Sequence, residues 1–537
     1  MANQRSKGCF VVTFLALMFG MSSSVLWAQW AALEGTVRDA TGGVVPGVAV
    51  TATNDQTGVA KPFVTDETGK YAFPKLQPGV YTLTAERPGF KKAVYTDNDF
   101  KVNTEYTLNI VLEVGQIHEA VTVRSGYHKV DTSGATIGTV IDERKLRDLP
   151  LNGRSPNNLV NLAPGVSSSS AGPAASIHGS RMGSNNITLD GIFNGAPLGG
   201  NLGIIVVFNN VDSVQEFRLI TTGGKAEYGR NSGPQLEVIS KSGANDRHGS
   251  VFWFHRNTVF NANTFFNNAA AAATPDGKPL PKPPLIRNQF GGSLGGPILK
   301  NRAFYFANVQ FTRDAATTSR LRTVLTPEAR NGLFRWRTPG SAMINTFDLL
   351  ANDPRGLGLD PTVRSLLDLV PPPNDFTTGD GLNTAGFRFN NPTRNRHDQW
   401  TTKVDWLFYG RHQFSARYGW GRNDVDDAGS GADARFPGQP HGTQNPRDQG
   451  ASVALVSTLT NDLINEFRYG FQRTNIVFPR PRRRQLGDRP ALIPNSFTPP
   501  LQETLGSGRV VPTYQFKDNL SHIQGRHTLK FGTDIRM

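Results

Sequence analysis

Strict alternation of aromatic and polar residues, in segments about ten residues long, constrains the fold of this chain more than any other feature. Trp400, Thr402, Val404, Trp406 and Phe408 fall on one face of an extended segment, and Thr401, Lys403, Asp405 and Leu407 on the other. After Tyr409-Gly410-Arg411 the pattern returns, with Phe414, Ala416, Tyr418 and Trp420 set against Gln413, Ser415, Arg417 and Gly419. Leu463 to Phe471 repeats it, and His527 to Met537 sets Leu529, Phe531, Ile535 and Met537 against Lys530, Asp534 and Arg536. Successive side chains of a strand point to opposite faces, so each segment has an apolar face and a polar face. A soluble sandwich alternates too, and the connections separate the two cases. Tight turns near 299–301, 409–411, 460–462 and 524–526 are interleaved with long Pro/Gly/Asn-rich stretches at 261–286, 314–396, 422–448 and 474–512. Short turns at one end and long loops at the other are the asymmetry of a membrane barrel. A soluble domain seldom holds a structureless loop of roughly 80 residues. Residues 246–537 are therefore expected to form part of an antiparallel transmembrane β-barrel, with about nine strands by this count.

Hydrophobic residues make up 37% of the 537-residue chain, and after residue 30 no apolar run is long enough for a membrane helix. That composition excludes a helical membrane protein but suits a barrel, whose strands are only half apolar. The first residues read as an export leader. Arg5 and Lys7 precede an apolar run from Phe10 to Met21, and Ala28 precedes Gln29, so residues 1–28 are expected to be a cleaved signal peptide. The single cysteine, Cys9, lies inside it, so the mature chain should contain no thiol or disulfide. The net charge of +14 comes from 57 Lys and Arg against 43 Asp and Glu. These charges are spread along the chain, apart from Arg480-Pro481-Arg482-Arg483-Arg484, which suits a solvated or anionic-lipid-facing surface. Export and this spread argue against nucleic acid as a partner.

Residues 29–115 read as a small β-sandwich, with short alternating runs between turns. Glu34 to Asp39 leads to a turn at Thr41-Gly42-Gly43, Val48, Val50 and Ala52 alternate with Ala49, Thr51 and Thr53, and Leu108, Ile110 and Leu112 supply a last inward face. The runs Pro46-Gly47-Val48-Ala49-Val50-Thr51-Ala52-Thr53, Thr65-Asp66-Glu67-Thr68-Gly69-Lys70-Tyr71, Pro78-Gly79-Val80-Tyr81 and Pro88-Gly89-Phe90 resemble the carboxypeptidase regulatory-like domain. That resemblance implies a transthyretin-like, carbohydrate-binding-like fold. Glycan binding would need exposed aromatics in a cluster, which these runs lack, so a spacer is the expectation.

Residues 116–130 read as a linker carrying the β-prone segment Glu119-Ala120-Val121-Thr122-Val123-Arg124. Such a segment can add as a strand to a partner's sheet edge, or it can be the last strand of the sandwich. Residues 131–245 follow with Val140 to Asp148 before Leu149-Pro150, read as a strand and an Asp-capped helix. Then come Asn152-Gly153-Arg154-Ser155, Ile177-His178-Gly179-Ser180-Arg181-Met182, Asn185-Asn186-Ile187-Thr188-Leu189-Asp190-Gly191, Val211 to Phe217, Ala226-Glu227-Tyr228-Gly229-Arg230 and Val238 to Gly243. In this order they resemble the plug domain of TonB-dependent outer-membrane receptors, and more narrowly the Oar-like group with a regulatory-like domain in front. The resemblance makes Glu119 to Arg124 similar to a TonB box and implies plug-motif roles for Leu149, Pro150, Gly153, Arg154, Arg181, Asn186, Asp190, Gly191, Glu227, Tyr228, Gly229 and Arg230. His178 and Pro234 depart from the group's usual Arg and Gly.

The expected fold is therefore mainly β: a sandwich, a small α/β plug and an incomplete barrel, since plugged transporters have about 22 strands. The chain stops on Ile535-Arg536-Met537 within a strand pattern, so a fragment of a longer protein, or a truncated gene product, is expected. Gly291-Gly292-Ser293-Leu294-Gly295 matches a hydrolase elbow, but Gly296-Pro297 follows where a helix is needed. Asp424-Val425-Asp426-Asp427 opens like a calcium loop, but Ala428 and Arg435 stand where ligands should be. No enzyme, metal site or cofactor is expected. The expected role is plug-gated uptake across the outer membrane, with a TonB-type protein and outer-membrane lipid as partners. The substrate is left open among glycan, peptide and metal chelate, and the rival role is surface adhesion without transport.

Overall fold

A computed structural model describes residues 30–115, 120–124, 136–167, 176–180, 184–195, 210–224, 229, 233–263, 265, 268, 282–426, 434–437, 443–460, 462–478, 498, 507–524 and 527–537. The export leader, Cys9 and the Arg480 to Arg484 run lie outside these residues.

The first unit contains β1 (Ala31–Asp39), β2 (Ala49–Asn54), β3 (Ala60–Val64), β4 (Lys70–Leu76), β5 (Gly79–Glu86), β6 (Lys92–Phe100), β7 (Glu105–Thr107), β8 (Ile110–Leu112) and β9 (Ala120–Arg124). One sheet runs β4-β1-β7, with β8 also on β1, and the other runs β3-β2-β5-β6-β9. Their alternating inner faces, including Leu33, Val37, Val50, Tyr71, Leu83 and Ile110, share one buried core. Two turns are built alike. Asp39 Oδ1 accepts from the Thr41 and Gly43 amides, and Asp66 Oδ1 accepts from those of Thr68 and Lys70. Gly42 and Gly69 take the positive φ each turn requires. Residues 120–124 fill the sandwich position that the sequence left open for them: β9 pairs in parallel with β6, from Lys92↔Ala120 to Thr96↔Arg124.

The second unit contains β10 (Ile137–Ile141), α1 (Glu143–Asp148), a 3-10 turn (Pro156–Leu162), β11 (Val166–Ser167), β12 (Ser176–Ile177), β13 (Asn186–Leu189), β14 (Ile192–Phe193), β15 (Val214–Thr222) and β16 (Gln235–Ser240). Asp142 caps α1 by accepting from the Lys145 amide, and the helix ends before Pro150. The mixed sheet β10-β15-β16-β13-β14 packs Ile187, Leu189, Phe217, Leu219 and Val238 against Leu146, Leu159 and Val160.

The third unit is one antiparallel sheet of β17 (His248–Asn257), β18 (Leu285–Leu299), β19 (Ala303–Leu325), β22 (Thr384–Phe408), β23 (His412–Asp426), β25 (Arg447–Thr458), β26 (Leu463–Phe478), β27 (Ser507–Gln524) and β28 (His527–Arg536), in sequence order, with β24 (Thr443–Gln444) on β23. Between β19 and β22 lie α2 (Pro327–Arg330), the hairpin β20 (Leu333–Arg337) and β21 (Ile344–Asp348), and α3 (Pro361–Asp368). Trp400, Val404 and Trp406 are exposed, while Thr401, Lys403 and Asp405 are buried, and the register sets Trp406 beside Phe414 and Trp400 beside Trp420. The exposed face is thus apolar and the covered face polar, the inverse of a soluble sheet and what lipid outside demands.

One expectation is corrected. The stretch 314–396 is not a structureless loop: β19 and β22 stay paired out to Leu325↔Thr384, and the remainder carries two helices and a hairpin. Likewise β23 continues to Asp426, β26 to Phe478, and β27 begins at Ser507. In the extensions of β19 and β22, Val324 and Phe387 pack on Val370 and Phe436 instead of lipid, while the backbone ladder continues.

The sandwich sits at the tight-turn end. The Asn245 side-chain amide donates to the Thr57 carbonyl at 2.7 Å and to Asn301 at 2.6 Å. Lys75 pairs with Glu466 of β26 at 2.6 Å, and Trp30 Nε1 donates to the same carboxylate at 2.9 Å, with Trp30 packed on Val456 and Ile464. Burial lowers the Lys75 pKa, and Glu466 opposes that shift. Lys75→Met leaves Glu466 with Arg468 as its remaining ion-pair partner, and breaking a buried pair costs about 3–5 kcal/mol, less here because Arg468 stays at 2.6 Å. In fluorotryptophan-labelled protein, the Trp30 ¹⁹F signal is expected to move toward its solvent value in Lys75→Met. An unmoved signal counts against docking through this pair.

Candidate functional site

The second unit is held against the polar face of the sheet by a two-residue hairpin. Asp190 and Gly191 join β13 to β14, with Leu189 opposite Ile192 and φ of 47° and 77° at the two turn positions. Asp-Gly is favoured where both residues must be left-handed. This geometry turns the backbone carbonyls outward: Arg468 donates to the Asp190 carbonyl at 2.6 Å and Lys517 to that of Gly191. The Asp190 carboxylate faces Arg417 Nε at 2.9 Å and Lys403 Nζ at 3.8 Å, and accepts from the Ser240 hydroxyl at 2.6 Å and amide at 3.0 Å. Burial raises its pKa, but Lys403, Arg417 and Ser240 outweigh burial and hold the carboxyl below its usual range. Beyond the turn, the Phe193 amide donates to Gln515 at 2.8 Å and Gln472 to the Gly195 carbonyl at 2.9 Å. Asn210 and Asn308 meet at 2.6 Å.

Toward the long-connection end, a polar cavity of about 230 Å³ lies between the second unit and the sheet. Gly153, Arg154 and Ser155 line it from one side, and Arg287, Gln289, Asp314, His397, Gln399 and Asn423 from the other. Arg154 pairs with Asp212 at 2.7 Å and lies over the Phe254 ring at 4.0 Å, and Gln289 donates to the Gly153 carbonyl at 3.0 Å. Arg287 and Asp314 form a two-bond pair at 2.8 Å. Guanidinium and amide groups in this number suit a polar ligand that carries acceptor oxygens.

The sandwich also grips the second unit. The segment after β6 places the Val102 amide 2.6 Å from Glu216 of β15, and Arg218 donates to the Val102 carbonyl at 3.2 Å, to the Asn103 carbonyl and to Thr104 Oγ1 at 2.7 Å. Asn103 reaches Glu237 of β16 at 3.0 Å. Burial pushes the Glu216 carboxyl up to about 7, against the pull of Lys101.

Among the residues singled out from the sequence, Asp190 and Gly191 form the docking turn, and Gly153 and Arg154 line the cavity. Leu149 ends α1 and packs on the second unit's core, Pro150 is exposed, and buried Asn186 donates to Gln235 at 2.7 Å. Ala120 to Arg124 lie in the sandwich sheet, paired with β6, and Gly229 is half-buried. Glu119, Arg181, Glu227, Tyr228 and Arg230 lie outside the described residues. Lys403, Arg417, Arg468 and Lys517 were missed as site residues. Their charge on a lumen-facing register was the available signal.

Residues 239–537 match the family described as Outer membrane beta barrel domain, and residues 32–113 match the Carboxypeptidase regulatory-like domain. The chain is 29% identical over 316 residues to the TonB-dependent transporter Oar of Myxococcus xanthus, covering 56% of this chain and 28% of that protein. The chain thus spans well under half the length of this curated relative. Similar solved structures include the outer membrane transporter YddB of Escherichia coli, at 13% identity over 74% of this chain and 47% of that one, TM-score 0.48. A mutant of the ferric enterobactin receptor PfeA of Pseudomonas aeruginosa gives 12% identity over 74% and 48%, TM-score 0.43.

Two outcomes follow from this geometry. Asp190→Asn removes the charge opposite Arg417 and Lys403 and is expected to cost about 3 kcal/mol of docking, read as unfolding of the second unit at lower denaturant while the sheet remains folded. Glu216 binds its proton more tightly when docked, so its contribution is full below its ordinary value of 4.5 and is lost as pH rises through about 7. Contact between sandwich and second unit, read by spin-label distances, should loosen between pH 5 and 8 by roughly one to two orders of magnitude. Glu216→Gln should abolish that dependence.

Proposed function

The chain belongs to the outer-membrane β-barrel family, and from that premise we propose that it is the plug-bearing part of a receptor for uptake driven by a TonB-type protein. One observation carries this reading: the unit covering the polar face is attached to it by hydrogen bonds and ion pairs from Asp190, Gly191, Phe193 and Gly195. Such contacts exchange for water at small net cost, about 1 kcal/mol for a hydrogen bond. A unit held this way can leave the lumen and return, which gating requires. A unit held by a shared apolar core could not.

The segment Glu119 to Arg124 serves as the coupling element in this proposal. Its support is positional: β9 is the last strand of its sheet among the described residues, and Ala120, Thr122, Val123 and Arg124 are exposed. A partner strand can add to that edge through main-chain bonds. The cavity beside Arg154 and Arg287 is the proposed substrate site, and its donors favour a ligand with carboxylate, hydroxyl or phosphate oxygens over an apolar one. The similarity to a TonB-dependent transporter of Myxococcus xanthus supports the coupling.

Consecutive amides of an edge strand point to opposite edges, so Val121→Pro and Thr122→Pro each remove one donor, one toward β6 and the other toward the open edge. Binding of a TonB C-terminal domain to the full chain is expected to fall at least tenfold for the proline facing outward, without loss of sandwich melting temperature. Val121→Thr keeps donor and strand preference and should bind normally. Undiminished binding by both proline variants refutes the coupling role.

A further inference from the structure

The outward face of the sheet, toward its long-connection end, has a feature that uptake does not use. The register of β19, β22, β23 and β25 lines up Val309, Trp400, Trp420 and Gln449, and next to them Phe311, Asp398, Arg422 and Arg447. Arg313 and Arg396 stand opposite each other one step further out. The first of these rows borders an apolar groove of about 810 Å³ on the outer surface. Gly292, Ala307 and Val309 floor it, and Leu294, Trp400 and Tyr418 wall it, the last two in edge-to-face contact at 6.0 Å.

Above the groove, charge is arranged in a band. Asp398 is shared by Arg313 at 2.5 Å and Arg396 at 2.7 Å, and Asp424 by Arg447 at 2.7 Å and Arg422 at 2.6 Å. Four guanidiniums thus meet two carboxylates and leave two positive charges in excess. These arginines keep 30–47% of their side chains exposed. A guanidinium carries five N–H donors, more than these carboxylate bonds and the bonds from Arg313 to the Thr312 carbonyl and from Arg447 to the Pro446 carbonyl use among the described residues. Neighbouring strands are about 4.8 Å apart, so the band crosses roughly 14 Å.

We propose that groove and band together bind a phosphorylated glycolipid of the membrane leaflet at the long-connection end. An acyl chain lies in the groove, and two phosphates bridge the arginine band. The band is wider than one phosphate, which favours a headgroup with two over a glycerophospholipid with one. This assignment rests on the membrane sheet itself and stands or falls separately from TonB coupling.

The test is native mass spectrometry of the full chain from mixed micelles. The lipids are a hexa-acylated bis-phosphorylated lipid A, its dephosphorylated form, and phosphatidylglycerol. Retention of the bis-phosphorylated lipid is expected to exceed that of either other lipid at least tenfold. Arg396→Gln/Arg447→Gln should erase that preference, and Ala307→Trp, which fills the groove without altering charge, should lower retention of all three. Heat-modifiable gel mobility reports folding. Should the double variant fail that check, Arg447→Gln alone leaves Asp424 paired with Arg422 and should lower the preference at least threefold. Equal retention of the dephosphorylated lipid or of phosphatidylglycerol overturns the assignment, as does a preference that survives the arginine substitutions in folded protein.

Discussion

The Asp190 carboxylate, set between Arg417, Lys403 and Ser240, marks the constraint to which the rest of the structure accommodates. The sheet turns an aromatic face outward, so its other face, with Gln310, Gln399, Lys403, Arg417, Arg468 and Lys517, is polar and buried. Slipping one strand by a residue would exchange the two faces, so the polar set cannot be moved elsewhere. Buried polar groups without partners cost about 1–3 kcal/mol each. The second unit supplies partners without a large apolar interface, using two backbone carbonyls and one carboxylate from a single tight turn.

That economy explains why the turn is Asp-Gly. A left-handed pair at 190 and 191 aims both carbonyls at the wall, and only residues tolerant of positive φ hold it. A Cβ at Gly191 would come within 2.6–3.1 Å of the Arg468 side chain, so the glycine also makes room for the cation that reads its neighbour's carbonyl. Backbone conformation and electrostatics thus require the same residue.

The three units form one mechanical series. β9 is zipped to β6, and the segment that leaves β6 holds Glu216 and Arg218 of β15. β15 is paired on one side with β10 and on the other with β16, whose last residue Ser240 binds Asp190. β9 therefore lies beside the strand that leads into the grip on the second unit. The sandwich, which the sequence suggests is a spacer, is held at both of its neighbours, by Lys75 to the sheet and by Val102 to Thr104 to the second unit.

The sequence by itself determined the faces and the periodicity. Trp400 to Phe408 against Thr401 to Leu407, the turns at 409–411 and 524–526, and the Asp142 cap could be read because each depends on residues near in sequence. The paired extensions of β19 and β22 could not, since their apolar residues Val324 and Phe387 pack on Val370 and Phe436 from distant segments rather than on a continuous lipid face. The docking partners were equally hidden. Lys403 and Arg417 were legible on the polar faces, but the meeting of Arg468 and Lys517 with the hairpin spans 278 and 326 residues of chain and is decided by strand register. The same holds for β9, whose sequence suits any sheet edge; only the tertiary structure put it on β6, because main-chain pairing demands little of the side chains.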